Sequence, residues 1–148
     1  MTQEFHERPE WAGAWVAERL DVRLATTAAP AGVEVADLVG LAVRDNPRRA
    51  HLLVSTVLGK HVPTDPRLVH GAGMLLGRFV AAVLAGEEPA LPAGAPLREA
   101  LAGSASAAAA LVEAVRQEGA VLEGPVTVLG YAETATGLGH AVFDALLG

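Results

Sequence analysis

Between residues 125 and 140 the chain reads PVTVLGYAETATGLGH, and no other stretch narrows the available folds as much. The β-branched and aromatic run after Gly124 and Pro125 predicts a strand, and LGHAVFDALL predicts a helix running to the last residue. A strand that enters a helix across one short loop is the elementary unit of an α/β sheet, and such sheets place ligands at the carboxyl ends of their strands. In that loop Gly137 and Gly139 turn backbone N–H groups outward, so the amides from Thr134 through Ala135 to His140 are expected to form a cup for an anion. Thr134 and Thr136 add hydroxyl donors. Glu133 is placed to hold a ribose hydroxyl, a water on a divalent cation, or a backbone donor that shapes the loop. The competing reading is purely structural, with the glycines as turn residues and the threonines as caps.

The rest of the chain supplies the other layers. Leu20, Val22 and Leu24 alternate with Asp21 and Arg23, a strand pattern with one wet face, which TAAPAG then breaks. Val35, Leu38, Val39 and Ala42 fall on one helical face, and Asn46-Pro47 predicts the end of that helix. His51 to Val57 reads as a strand, followed by a bend at Gly59 and a loop bounded by Pro63 and Pro66. Beyond Pro66, Leu68, Leu75, Leu76, Phe79 and Val83 define an apolar helix, with Gly71, Gly73 and Gly77 permitting close approach on the opposite side. Residues 85–103 are rich in proline and glycine and predict a surface excursion, and the alanine-rich helix from 104 to 118 is expected to be capped near Ser104 or Ser106. Strand, helix, strand, helix, helix, strand, helix predicts an α/β sandwich with a mainly parallel sheet. The domain is expected to span 15–148, after an N-terminal extension over 1–14.

Charge and composition exclude several classes. A net charge of -6 offers no basic footprint for a nucleic acid, although a small phosphorylated ligand remains compatible. With no cysteine there is no disulfide, thiolate nucleophile or cysteine zinc site, which suits a cytoplasmic protein. The N-terminal residues lack the basic and apolar regions of a signal peptide. The apolar stretch around residues 68–86 carries Arg78 near its middle, so it reads as a helix in water and not as a membrane span.

A second candidate site is STVLGKHVPTDP, where Lys60 can act as a point charge for phosphate and His61 as a donor or proton acceptor. If the fold is as expected, this loop and the one at 133–139 converge on one edge of the sheet. His51 and His70 read as packed or surface residues, and His140, in the last helix's first turn, as a cap or as a further lining residue of the same pocket. A metal site of His61, Glu133 and His140 has no enforcing ligand spacing and is not expected, and Arg44, Arg48 and Arg49 form a small basic cluster that either balances nearby acids or meets a ligand phosphate. Neither a Walker-type loop nor the dinucleotide fingerprint is present.

Together, NPRRAHLLVSTVLGKHVPTDP and VLGYAETATGLGHAVFDAL resemble the type I phosphoribosyltransferase-like family of bacterial stress and tellurium-resistance gene neighbourhoods, over roughly residues 15–148. The resemblance implies a Rossmann-like sheet and transfer of ribose 5-phosphate to a base-like acceptor, with phosphoribosyl pyrophosphate and Mg2+ as donor and cofactor. It places Glu133, Thr134, Ala135, Thr136, Gly137 and Gly139 around the leaving pyrophosphate, with Lys60 and His61 nearby, and assigns no catalytic residue. The family's second motif, two adjacent acids followed by Thr-Gly, is missing: Glu87-Glu88 runs into Pro89, and Ala132 stands where the first acid of an alternative register would fall. The domain is therefore expected to be the N-terminal portion of the fold, inactive in isolation, with a sheet edge that pairs with a second copy or a further C-terminal segment. A phosphate-binding or assembly module without transfer chemistry is the alternative, and a helical interaction protein is a third.

Overall fold

The computed structural model describes residues 18–19, 21, 24–27, 29, 32–44, 46, 48, 51–90, 95–118, 122, 124–131, 133 and 135–147. The N-terminal extension and Thr134 lie outside the described residues, as do Leu20, Val22 and Arg23 of the first expected strand. Of the described residues in that expected strand, Glu18 and Arg19 are helical, Asp21 has a left-handed φ of 49°, and residues 24–27 are in no strand.

The first corrected element is the helix expected across 35–42. Only one turn forms, α1 (Val35–Leu38), started by the Val35 N–H on Thr26 Oγ1 and the Glu34 N–H on Asp37 Oδ2. The chain then becomes strand β1 (Val39–Val43), antiparallel to β2 (His51–Ser55), with Val39 opposite Ser55 and Val43 opposite His51. Tertiary pairing overrides the helical spacing here. Gly40 weakens a helix, Val39 and Val43 favour a strand, and Leu41 and Val54, on opposite faces of the hairpin, are buried while Val43 and Leu53 are exposed. Asn46 takes part in the connecting turn, where its Oδ1 accepts from the Arg48 N–H at 2.9 Å. Among the described residues this hairpin is the only sheet, and it is antiparallel where a mainly parallel sheet was expected.

Among the described residues, four helices contribute to the core. Asp65 caps α2 (Pro66–Ala85) by accepting from the Arg67 N–H, Pro66 occupies the first turn, and Gly86 ends the helix at φ 74°. A helix of 20 residues with this hydropathy is long and apolar enough to cross a membrane, yet here it packs between α4 (Ala105–Gln117) and α5 (Thr136–Leu146). The close backbone approach expected at its glycines is present, and it lies in the core. A Cβ on Gly71 would stand 3.0 Å from Leu111, one on Gly73 2.5 Å from the Ala141 Cβ, and one on Gly77 2.6 Å from the Ala145 Cβ. Of the expected apolar stripe, Leu68 and Leu75 are buried, whereas Leu76 and Val83 are exposed. The pairs Gly73/Ala141 and Gly77/Ala145 ascend together, as do Gly71/Leu111 and Arg78/Val115, so α2, α4 and α5 run in the same direction.

The 85–103 excursion is also corrected. It contains α3 (Ala95–Leu101), whose Leu97 and Ala100 are buried in the main core beside Leu111 and Val115. Leu97, Ala100 and Leu101 have helical spacing that the surrounding prolines and glycines obscure. Ser104 caps α4, its Oγ accepting from the Ala107 N–H at 3.2 Å, as expected. Residues 125–131, expected as a strand, join no sheet among the described residues, and Leu129 and Tyr131 are 89% and 93% exposed.

Candidate functional site

The loop after β2 is held by hydrogen bonds to the hairpin. The Thr56 N–H donates to Leu38 O and its Oγ1 to Asp37 O, while Thr64 Oγ1 donates to Thr56 O from the far side of the bend. Gly59 turns the chain with φ 63°, a conformation that other L-residues rarely adopt, and so presents Lys60. Lys60 Nζ lies 3.4 Å from Glu133 Oε1, joining the two loops that the sequence singles out. His61 is exposed on the same bend.

The second loop folds tightly into α5. The Ala135 N–H donates to Tyr131 O, the Thr136 N–H to Glu133 O and the Gly139 N–H to Ala135 O, so three amides of the expected cup are already engaged. Gly130 fits under this turn, where a Cβ would stand 3.3 Å from Ala135 O. The remaining anion-seeking surface is smaller than expected. Among the described residues, the Gly137 and Leu138 amides of the first turn have no acceptor, and Ala135 at the N-cap position offers no side-chain cap. Thr136 is inside the helix and not its cap, which removes it from the structural reading of the threonines.

The two loop glycines differ sharply from those of α2. Neither Gly137 nor Gly139 has a positive φ, and a Cβ on either would meet nothing within 4 Å among the described residues. Turn geometry and packing therefore require glycine at neither position, although glycine in a helix costs up to about 1 kcal/mol relative to alanine. Open space stands in front of both, where an incoming group can approach the backbone. Beside them a depression of about 330 Å³ is lined by Val128, Gly130, Ala135, Thr136, Gly139, His140 and Phe143.

Of the expected site residues, the structure thus brings Ala135, Thr136 and Gly139 around one depression, and Lys60 to Glu133. It brings neither Gly137 nor His61 into the lining. Val128, Gly130 and Phe143 line it without having been expected. The spacing of Thr136, Gly139, His140 and Phe143 is the signal that could have found the helical wall, since residues three and four apart share a helix face. Among the described residues, no group of three His, Asp or Glu side chains could hold a metal by itself. A magnesium ion brought with phosphates needs only one or two carboxylates, a requirement that exposed Glu133 fits.

No curated protein and no solved structure matches the chain. The family model described as phosphoribosyl transferase matches residues 38–148, from the end of α1 through α5, including the 85–103 segment that the motif resemblance does not use. With that match over most of its length, the chain belongs to the phosphoribosyl transferase family.

Proposed function

We propose that the chain binds the diphosphate of Mg-phosphoribosyl pyrophosphate at the start of α5 and takes part in transfer of ribose 5-phosphate to a base-like acceptor. The observation that carries this reading is the meeting of Lys60 with Glu133 beside a helix start whose Gly137 and Leu138 amides have no acceptor among the described residues. Lys60 gives the departing diphosphate a cation, and the two amides give it neutral donors reinforced by the helix dipole. The open faces of Gly137 and Gly139 let phosphate oxygens come close to the backbone. Glu133 and the phosphates would hold the magnesium, which when bound offsets charge on the leaving group. Thr136, exposed in the first helical turn, can donate its hydroxyl to the same group.

The finer family placement, among type I-like members of stress and tellurium-resistance neighbourhoods, belongs to this proposal and rests on the paired motifs. So does a Rossmann-like framework, which the common direction of α2, α4 and α5 supports, since parallel helices are what strand-helix crossovers produce. A small phosphorylated substrate and a cytoplasmic setting complete the reading.

Calorimetry with Mg-phosphoribosyl pyrophosphate tests it, using Thr136→Val and Gly137→Val. Both variants should bind more weakly, and unchanged affinity in both removes the site. A second reading, a phosphate-binding or assembly module without transfer, is favoured by the missing adjacent acid pair. Binding without pyrophosphate release in the presence of candidate bases selects it over the first. Light scattering reads whether assembly, including pairing of two copies, accompanies binding.

A further inference from the structure

A separate depression of about 280 Å³ lies between α2, α4 and α5, lined by His70, Met74, Arg78, Arg116 and Asp144. His70, Met74 and Arg78 form one stripe of α2 at intervals of four residues, Arg116 comes from the last turn of α4, and Asp144 from α5. Arg78 is only 7% exposed. Its Nε donates to Val115 O at 3.2 Å, capping the end of α4, but its buried Nη1 has no partner among the described residues.

We propose that this depression is a binding site for a compact oxyanion, a phosphate or a carboxylate, held by Arg78 Nη1 and the Arg116 guanidinium. A buried cationic donor left without an acceptor is costly, and an anion in the depression removes that cost. Desolvation by burial pushes the Arg78 pKa down, and the Glu118 carboxylate opposes this in smaller measure. A guanidinium is also the side chain best shaped to grip a planar or tetrahedral oxyanion. The opposite wall differs. His70 Nε2 and Asp144 Oδ2 stand 4.0 Å apart, so a carboxylate faces the depression there and orients the ligand with its anionic end toward the arginines. A hydroxyl or ammonium donor on the same ligand would meet Asp144. Asp144 lies one helical turn beyond His140, which lines the depression beside the α5 start, so the two sites border successive turns of one helix.

The test follows the Arg78 Nε–Hε resonance by NMR on the whole chain, titrating inorganic phosphate and acetate separately against sodium chloride at matched ionic strength. The expected result is a saturable shift with at least one anion, which identifies the oxyanion class. Arg116→Gln, at an exposed position, should weaken that binding about tenfold through loss of one charge-assisted contact. Gly137→Val should leave it unchanged, which separates this site from the one proposed for diphosphate. Shifts no larger than those from chloride, unchanged affinity in Arg116→Gln, or shifts confined to the Gly137 and Leu138 amides would each overturn the assignment.

Discussion

Lys60 Nζ stands 3.4 Å from Glu133 Oε1 although 73 residues separate them in the chain. Glu133 is 87% exposed and Lys60 37%, and exposed ion pairs contribute at most about 1 kcal/mol to stability. The pair matters chiefly because it places a cation and a carboxylate at one helix start. Lys60→Gln is therefore expected to leave the urea midpoint nearly unchanged. The same substitution should weaken Mg-diphosphate binding about tenfold by calorimetry, the loss of one charge-assisted phosphate contact. A variant that unfolds earlier but binds normally would reassign Lys60 to stability.

The open faces of Gly137 and Gly139 make a prediction of unusual sign. Alanine at either position fits without strain and reduces the freedom of the unfolded chain, so each substitution should stabilise the fold by about 0.4–1 kcal/mol. The added methyl stands where a phosphate oxygen is proposed to come, so diphosphate affinity should fall as stability rises. Denaturant unfolding and calorimetry on the same two variants measure both quantities.

The glycines of α2 reverse that sign. A Cβ on Gly77 would stand 2.6 Å from the Ala145 Cβ and 2.8 Å from Val142 O, a backbone atom that can retreat only if α5 moves. Despite the better helix propensity of alanine, Gly77→Ala should destabilise the chain by about 1–3 kcal/mol, the usual range for overpacking. Its urea midpoint should fall with little change in slope.

These glycines also show how far the sequence could be read. Close approach at Gly71, Gly73 and Gly77 follows from their residue type and their periodicity. Which face of α2 is the core does not follow, because a glycine face becomes core only when small or well-fitted partners such as Ala141 and Ala145 arrive from another part of the chain. The hairpin was hidden for a related reason. Val35, Leu38, Val39 and Ala42 satisfy helical spacing, and only pairing with His51–Ser55 selects the strand. At the candidate site, chemistry was legible in Lys60 and Glu133, whereas engagement of the Ala135, Thr136 and Gly139 amides depends on turn geometry that composition does not encode.

Asp65 gives a pH prediction. Its Oδ1 accepts from the Arg67 N–H and Nε, and its Oδ2 from Nη2 at 2.7 Å, and these bonds hold its pKa below the ordinary value of 3.8. A carboxylate with a depressed pKa in the folded state stabilises the protein above its unfolded pKa, and that contribution is lost as pH falls through the folded value. The wild type should therefore melt above Asp65→Asn by a constant margin from neutral pH down to about pH 5, with the margin shrinking as the pH drops below 3.8. Melting temperatures of both proteins across that range check the sign.

Leu129 supplies the last test because the sequence and the structure assign it opposite environments. PVTVLGY has the composition of a buried central strand, yet Leu129 is 89% exposed and Tyr131 93%, and residues 125–131 make no sheet ladder with the described residues. An exposed apolar segment outside any sheet ladder is a surface on which a second copy can associate. Leu129→Ser should accordingly change stability by no more than about 0.5 kcal/mol at low protein concentration, as for a surface substitution. At high concentration it should reduce self-association, measured by sedimentation. A loss of about 2–5 kcal/mol at every concentration would be the cost of truncating a packed leucine, and would place the segment inside the fold.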